Sequence, residues 1–308
     1  MTKILITEFI NNNSLNNLRK NFEVHYDENL WSQTEKLINS IKDSEGLIIR
    51  NKTKVTKDLL DKANNLKFVG RLGVGLDNID IDYCKNKKIY VQPATGMNAD
   101  SVVEYVVSCS LSLIKKIPLL NNGTSKGEWP RTKIKSEEIN GKNLGIIGYG
   151  YIGKKVSKYC SNLGLNIIAY DPYLEDQTND KYANFVELNK IYEVSDIISL
   201  HLPLTKETKN LINKVSFSKM KQKPIIINTS RGSIVNENEL IDAYNNNLIS
   251  GFALDVFENE PIEDSLYNQI SKDMNCILTP HISGVTTQSN ERVCDFIAEK
   301  MLEFFKTK

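Results

Sequence analysis

The chain holds three histidines, and two of them follow apolar runs that read as strands: His201 after Ile197-Ile198-Ser199-Leu200, and His281 after Ile277-Leu278-Thr279-Pro280. Side chains at the C-terminal ends of strands in an open parallel sheet line the crevice where ligands bind. An imidazole placed there suits proton transfer, because its pKa lies near neutrality. His281 is the better placed of the two. It opens the loop His281-Ile282-Ser283-Gly284, and an acidic partner is available in Glu260, on a loop that Pro261 stiffens. A carboxylate beside the ring favours its protonated form. Taken alone, Glu260 reads equally well as a solvated loop acid. His25, in Val24-His25-Tyr26-Asp27, reads as a surface residue at a strand end. Arg231, in Asn228-Thr229-Ser230-Arg231-Gly232, directly follows the apolar run at 224–227. A guanidinium there can grip a carboxylate with two parallel hydrogen bonds and polarise an adjacent carbonyl, and Gly232 permits a sharp exit.

A second pattern supplies what such a site would work with. After the strand-like Asn143-Leu144-Gly145-Ile146-Ile147 comes Gly148-Tyr149-Gly150-Tyr151-Ile152-Gly153, followed by a run of helical period. In that setting Gly148 permits the tight turn, Gly150 lets the backbone approach a pyrophosphate, and Gly153 lets helix and strand pack closely. The next strand ends in Asp171, where a carboxylate can accept hydrogen bonds from an adenosine ribose and would repel a 2′-phosphate. The following Pro172-Tyr173-Leu174 offers no arginine to bind such a phosphate, so NAD is favoured over NADP. Alcohol oxidation by NAD needs a group that takes the hydroxyl proton, the part for which His281 is suited.

The elements that must position these residues are strands and crossover helices. Expected strands cover residues 3–7, 46–50, 67–70, 89–92, 143–148, 166–170, 196–200, 224–228, 251–255 and 275–279, more than one ordinary sheet holds. Long helical stretches at 99–117 and 286–306 are long enough to cross between two lobes, and the first should give way to a loop at 121–130. The expected fold is α/β with two doubly wound parallel-sheet lobes. Residues 1–95 and 286–308 form one lobe and residues 96–285 the other.

The 308 residues balance 39 Lys+Arg against 38 Asp+Glu, so no general attraction to phosphate backbones is available and nucleic acid is not expected as a partner. No segment has the length and apolarity of a membrane span or a signal-peptide core. Five scattered cysteines without a C-x-x-C pair fit reduced thiols, so no metal is expected and the location should be cytoplasmic.

These motifs, together with Ser199-Leu200-His201-Leu202-Pro203-Leu204-Thr205, resemble those of the D-isomer-specific 2-hydroxyacid dehydrogenases over essentially the whole chain. The resemblance implies a Rossmann-like NAD domain inserted into a flavodoxin-like substrate domain, closing over the substrate in a homodimer. It implies that Arg231 binds the substrate carboxylate and carbonyl, that His281 is the acid/base and also touches substrate, and that Glu260 holds and tunes it. Tyr151, Ile152 and Asp171 would contact the adenosine half of NAD, with Thr229 and Asp255 near the nicotinamide end. His201, Pro203, Ser283 and Gly284 would line the cofactor cleft. The loop Arg71-Leu72-Gly73-Val74-Gly75 would present backbone N–H groups of Gly73, Val74 and Gly75 to the substrate carboxylate.

For the substrate, Ile49-Arg50-Asn51-Lys52-Thr53-Lys54-Val55-Thr56 and Val69-Gly70-Arg71 resemble the 3-phosphoglycerate dehydrogenases of serine biosynthesis. There the arginine matching Arg50 holds the phosphate, although here it also reads as a solvated strand-end charge. The stretch at 71–80, followed by Pro93-Ala94-Thr95-Gly96-Met97-Asn98, is at least as similar to 3-sulfolactate dehydrogenases. The chain ends soon after the second long helix, so no C-terminal regulatory domain is expected. A glyoxylate or hydroxypyruvate reductase is the alternative within the family. An NADH-sensing corepressor is the alternative of a different class.

Overall fold

The structure, a computed structural model, describes residues 1–174, 180–262, 267, 270 and 274–306. The chain divides into two compact units, Met1–Asn98 with Val285–Lys308, and Ala99–Gly284. These divisions stand against 95/96 and 285/286 expected from the sequence.

The first unit carries a parallel sheet of β1 (Lys3–Ile6), β2 (Glu23–Tyr26), β3 (Gly46–Ile49), β4 (Phe68–Arg71) and β5 (Tyr90–Pro93), in the order β2-β1-β3-β4-β5. One apolar layer joins Ile4, Ile6 and Phe68 of the sheet to Leu15 and Leu18 of helix Asn12–Arg19, and to Val293, Ile297 and Met301 of helix Thr287–Lys306. The opposite layer packs Leu5, Leu47 and Val69 against Leu37, Ile41, Leu59 and Leu60. Thr286 and Ser289 exchange side-chain and backbone hydrogen bonds at 3.1 and 3.2 Å, which caps the C-terminal helix.

The second unit carries β6 (Asn143–Ile147), β7 (Asn166–Tyr170), β8 (Asn184–Phe185), β9 (Ile197–Leu200), β10 (Ile225–Asn228), β11 (Gly251–Leu254) and β12 (Cys276–Leu278). All are parallel, in the order β12-β11-β10-β9-β6-β7-β8. β9, β10 and β11 are buried along their whole length, as strands covered by helices on both faces must be. Helix Ala99–Ile114 buries Val102, Val106 and Leu113 on one face; Ile191, Phe217 and Leu240 from three later helices cover the other. The order reverses between β6 and β9, which opens a crevice at their C-terminal ends.

The ten expected strands lie within one residue of those observed at either end, but β2 and β8 are additional. Both are edge strands, and β2 alternates between exposed and half-buried residues instead of forming an apolar run. His25 lies within β2, paired with Leu5, rather than at a strand end. The expected helix 99–117 stops at Ile114, where Lys116 turns left-handed at φ 55°, and a new helix, Ile117–Ser125, starts with proline in its first turn. The loop expected at 121–130 is therefore helical up to Ser125. Instead of crossing between lobes, as expected from their length, each long helix packs its buried face on the sheet of its own unit.

Candidate active site

Three neighbouring strands of the second unit each deliver one ionisable group beyond their C-terminal ends: Arg231 after β10, Glu260 after β11 and His281 after β12. The exit from β10 is shaped by Asn228, which is fully buried. Its side-chain carbonyl accepts the Ser230 N–H at 3.0 Å, and its amide donates to the Arg231 carbonyl at 2.9 Å. Ser230 ties this turn to the exit of β9, donating to the Leu200 carbonyl at 2.6 Å and accepting the Leu202 N–H at 3.1 Å. The Arg231 Nη1 donates to the Ser230 carbonyl at 2.6 Å. A Cβ on Gly232 would collide with the backbone of Phe257 and Glu258, so the loop after β11 rests directly on this turn.

Glu260 and His281 meet at 2.7 Å between Oε2 and Nδ1, and Glu260 Oε1 accepts the Phe257 N–H at 3.0 Å. Burial works against the Glu260 charge, but the hydrogen bonds from His281 and Phe257 and the charges of His281 and Arg231 outweigh it, holding the carboxyl below its usual range. With Nδ1 engaged, Nε2 is the His281 nitrogen left to exchange a proton. His281 itself sits at φ 56°, a left-handed conformation that costs a non-glycine residue about 1 kcal/mol.

That conformation is enforced by Asp255, a buried carboxylate at the end of β11. Its Oδ1 accepts the Thr279 hydroxyl at 2.6 Å and the Ile282 N–H at 2.8 Å, and its Oδ2 accepts the Ser283 N–H at 2.8 Å. Tyr105 Oη lies 2.6 Å from Thr279 Oγ1. The Ser283 carbonyl accepts the Ser101 hydroxyl at 2.6 Å, so both the N–H and the carbonyl of Ser283 are engaged. Asp255, expected near the nicotinamide, therefore braces the His281 loop.

The glycine-rich segment occupies the crevice between β6 and β9. Gly148, at φ 92°, could not carry a Cβ without striking the His201 carbonyl, and one on Gly153 would strike the Gly148 carbonyl. Gly150 caps helix Tyr151–Ser161 without a side chain and has open space beside it. Asp171 accepts the Tyr149 N–H at 2.8 Å and the Tyr173 N–H at 3.0 Å. Beside it lies a cavity of about 300 Å³ lined by Gly150, Tyr151, Lys154, Asp171, Tyr173 and Leu174. Thr229 Oγ1 is buried with no hydrogen-bond partner among the described residues. Ile152 is half-buried in the first turn of that helix, and Pro203 lies exposed three residues past β9. An uncapped helix start, open room at Gly150 and an unsatisfied hydroxyl fit a dinucleotide. His201 follows β9 with its Nε2 2.9 Å from Ser199 Oγ, and burial pushes its pKa down to about 4, so the ring is neutral near pH 7.

In the first unit, Glu8 is 4% exposed and accepts the backbone N–H groups of Arg50, Lys52 and Thr53 at 2.9, 3.0 and 2.9 Å. This fixes the chain where it leaves β3. The Arg50 guanidinium donates to Asn290 Oδ1 at 2.7 Å and lies over the Phe9 ring, 5.5 Å from its centroid. Arg71 Nη1 donates to the Leu72 carbonyl at 3.0 Å. The Gly73 N–H turns back to the Arg71 carbonyl at 2.8 Å, so only Val74 and Gly75 of this loop remain to offer N–H groups to a ligand.

Residues 107–283 match the family model described as D-isomer specific 2-hydroxyacid dehydrogenase, NAD binding domain. The chain belongs to the D-isomer specific 2-hydroxyacid dehydrogenases.

Its relatives in this family include a (S)-sulfolactate dehydrogenase of Chromohalobacter salexigens, 37% identical over 95% of both chains. A D-3-phosphoglycerate dehydrogenase of Archaeoglobus fulgidus is 36% identical over 99% of this chain but only 57% of its own length. The crystal structure of D-lactate dehydrogenase from Aquifex aeolicus, complexed with NAD and lactic acid, superposes with a TM-score of 0.85 at 28% identity, covering 99% of this chain and 96% of that one. The protein is thus an NAD-dependent 2-hydroxyacid dehydrogenase built from two parallel-sheet α/β domains. No helix among its described residues is long and apolar enough to cross a membrane. Sequence reasoning missed the bracing roles of Asn228, Ser230 and Thr279, although all three lie inside motifs it singled out. Tyr105 carried no signal at all.

Proposed function

We propose that the substrate is a 2-hydroxy acid with an anionic group on carbon 3, with 3-phosphoglycerate first and 3-sulfolactate second. The observation that carries this reading is Arg50, whose partners among the described residues, the Asn290 amide, the Phe9 ring and the Cys294 thiol, carry no carboxylate. A half-buried cation with no ion-pair partner among the described residues is well suited to an anionic ligand and of little use to lactate. Arg71 is a second guanidinium in the same unit.

In this reading Arg231 grips the C1 carboxylate and polarises the C2 oxygen, with the Val74 and Gly75 N–H groups also serving the carboxylate. His281 Nε2 takes the C2 hydroxyl proton in oxidation and returns it in reduction, while Glu260 on Nδ1 fixes the ring and stabilises its positive charge. NAD, when bound, supplies the nicotinamide that accepts or donates hydride. Tyr151, Ile152 and Asp171 hold its adenosine half, and Thr229, His201, Pro203, Ser283 and Gly284 line the rest of its site. Serine biosynthesis, a homodimer and a cytoplasmic location belong to the same proposal.

The test is kcat/KM with NAD for 3-phosphoglycerate, 3-sulfolactate, D-glycerate and D-lactate, side by side with their 2-oxo acids and NADH in reverse. Preference for phosphoglycerate or sulfolactate supports the reading and chooses between them. Preference for glycerate or lactate removes Arg50 from the site and leaves a small-substrate reductase.

A further inference from the structure

We propose that Glu237 is a positioning residue for Glu260, holding the turn from which Glu260 reaches His281. The inference rests on the reading of Glu260 and His281 as the proton-transfer pair. Glu237 opens helix Glu237–Asn245, yet the residue is only 8% exposed. Its Oε1 accepts the Glu258 N–H at 2.7 Å, while the preceding N–H, of Phe257, goes to Glu260 Oε1 at 3.0 Å. Two consecutive backbone donors are thus divided between two carboxylates, one reaching in from the helix and one folding back on its own turn. With the Glu258 N–H directed to Glu237, the Phe257 N–H is left facing Glu260, and that bond sets Oε2 against His281.

The turn has little freedom otherwise. Gly232 presses on its backbone, and the Phe257 ring meets Tyr267 edge-on at 5.1 Å. Burial, with the charges of Glu258 and Glu260 adding to it, raises the Glu237 pKa against the pull of its hydrogen bonds. A carboxylate held where its own charge is disfavoured works against stability, which is the pattern found where a local rule is broken for a site.

The experiment compares Glu237→Ala, Glu237→Gln, Glu260→Gln and the Glu237→Ala/Glu260→Gln double variant, using kcat on the preferred 2-oxo acid and the NADH dissociation constant by fluorescence. Glu237→Ala should lower kcat about 10- to 100-fold, the scale of a misplaced catalytic group, with NADH affinity within about twofold. Glu237→Gln, whose amide oxygen can still accept the Glu258 N–H, should restore kcat to within about threefold. Once Glu260 is already Gln, adding Glu237→Ala should cost less than about twofold, because both changes act through one group. Independent, multiplying losses, or equal losses in NADH binding, overturn the inference while leaving the proton-transfer pair standing. A Glu260→Gln variant with undiminished kcat overturns the pair and the inference together.

Discussion

Two groups of ionisable side chains carry the proposed reading, one in each unit, and the protein holds them in opposite ways. In the second unit the charges compensate one another in place: His281 meets the Glu260 carboxylate at 2.7 Å, and Arg231 adds its own positive charge to that carboxylate's surroundings. In the first unit, Arg50 has an amide and an aromatic ring for partners, and the nearby Glu8 carboxylate is occupied by three backbone N–H groups. The first arrangement favours the charged Glu260 carboxylate before any ligand arrives. The second leaves a positive charge for the ligand to neutralise. In the proposed reading, proton transfer is built from groups that satisfy one another, and choice of substrate from a cation with neutral partners.

The sharpest way to break this comparison is His281→Ala. Removing the proton-transfer group should lower kcat about 10²- to 10⁴-fold on every substrate alike, with NADH affinity by fluorescence within about threefold. A loss confined to some substrates, or undiminished turnover, would move His281 out of the common machinery.

Much of that machinery was legible in the sequence because each member follows a fully apolar run. Ile225–Asn228 and Gly251–Leu254 are buried end to end, so their limits show as abrupt changes from apolar to polar residues. What the sequence could not show is that β10, β11 and β12 are neighbours, which alone brings Arg231, Glu260 and His281 to one edge. The bracing polar residues were harder still. Glu237 and Tyr105 act through single bonds to distant loops, and such bonds have no periodicity. The helical stretch expected to run to 117 stops short because Lys116 turns left-handed, and proline in the first turn then starts a second helix.

Arg50→Ala tests the other side of the comparison, with a smaller and selective effect. A charge-assisted hydrogen bond contributes about 1.5–3 kcal/mol, so kcat/KM for 3-phosphoglycerate or 3-sulfolactate should fall about 10- to 100-fold. For D-glycerate and D-lactate the change should stay within about twofold. An equal fall on all four would make Arg50 a structural residue of the first unit, and no fall on any would make it a solvated charge.

The comparison can also be drawn between two histidines of one unit, and there the effect is confined to acid pH. His281 has a carboxylate partner, while His201 has the Ser199 hydroxyl 2.9 Å away and a burial that pushes its pKa from 6.5 to about 4. Between those values the unfolded chain binds a proton that the folded chain does not. Stability therefore falls as pH drops from about 6.5 to 4, by at most about 3 kcal/mol, and by less where the partly exposed ring is screened by water. Glu260 also binds fewer protons folded than unfolded, so its contribution too falls as pH falls, but in a lower window. Held below the ordinary carboxylate range, it contributes above that range and is lost only at lower pH. Urea unfolding of the ligand-free protein and of His201→Gln, between pH 7 and pH 4.5, separates the two. The variant should lose less stability than the parent over this interval, and parallel losses would mean that His201 is already solvated in the folded chain.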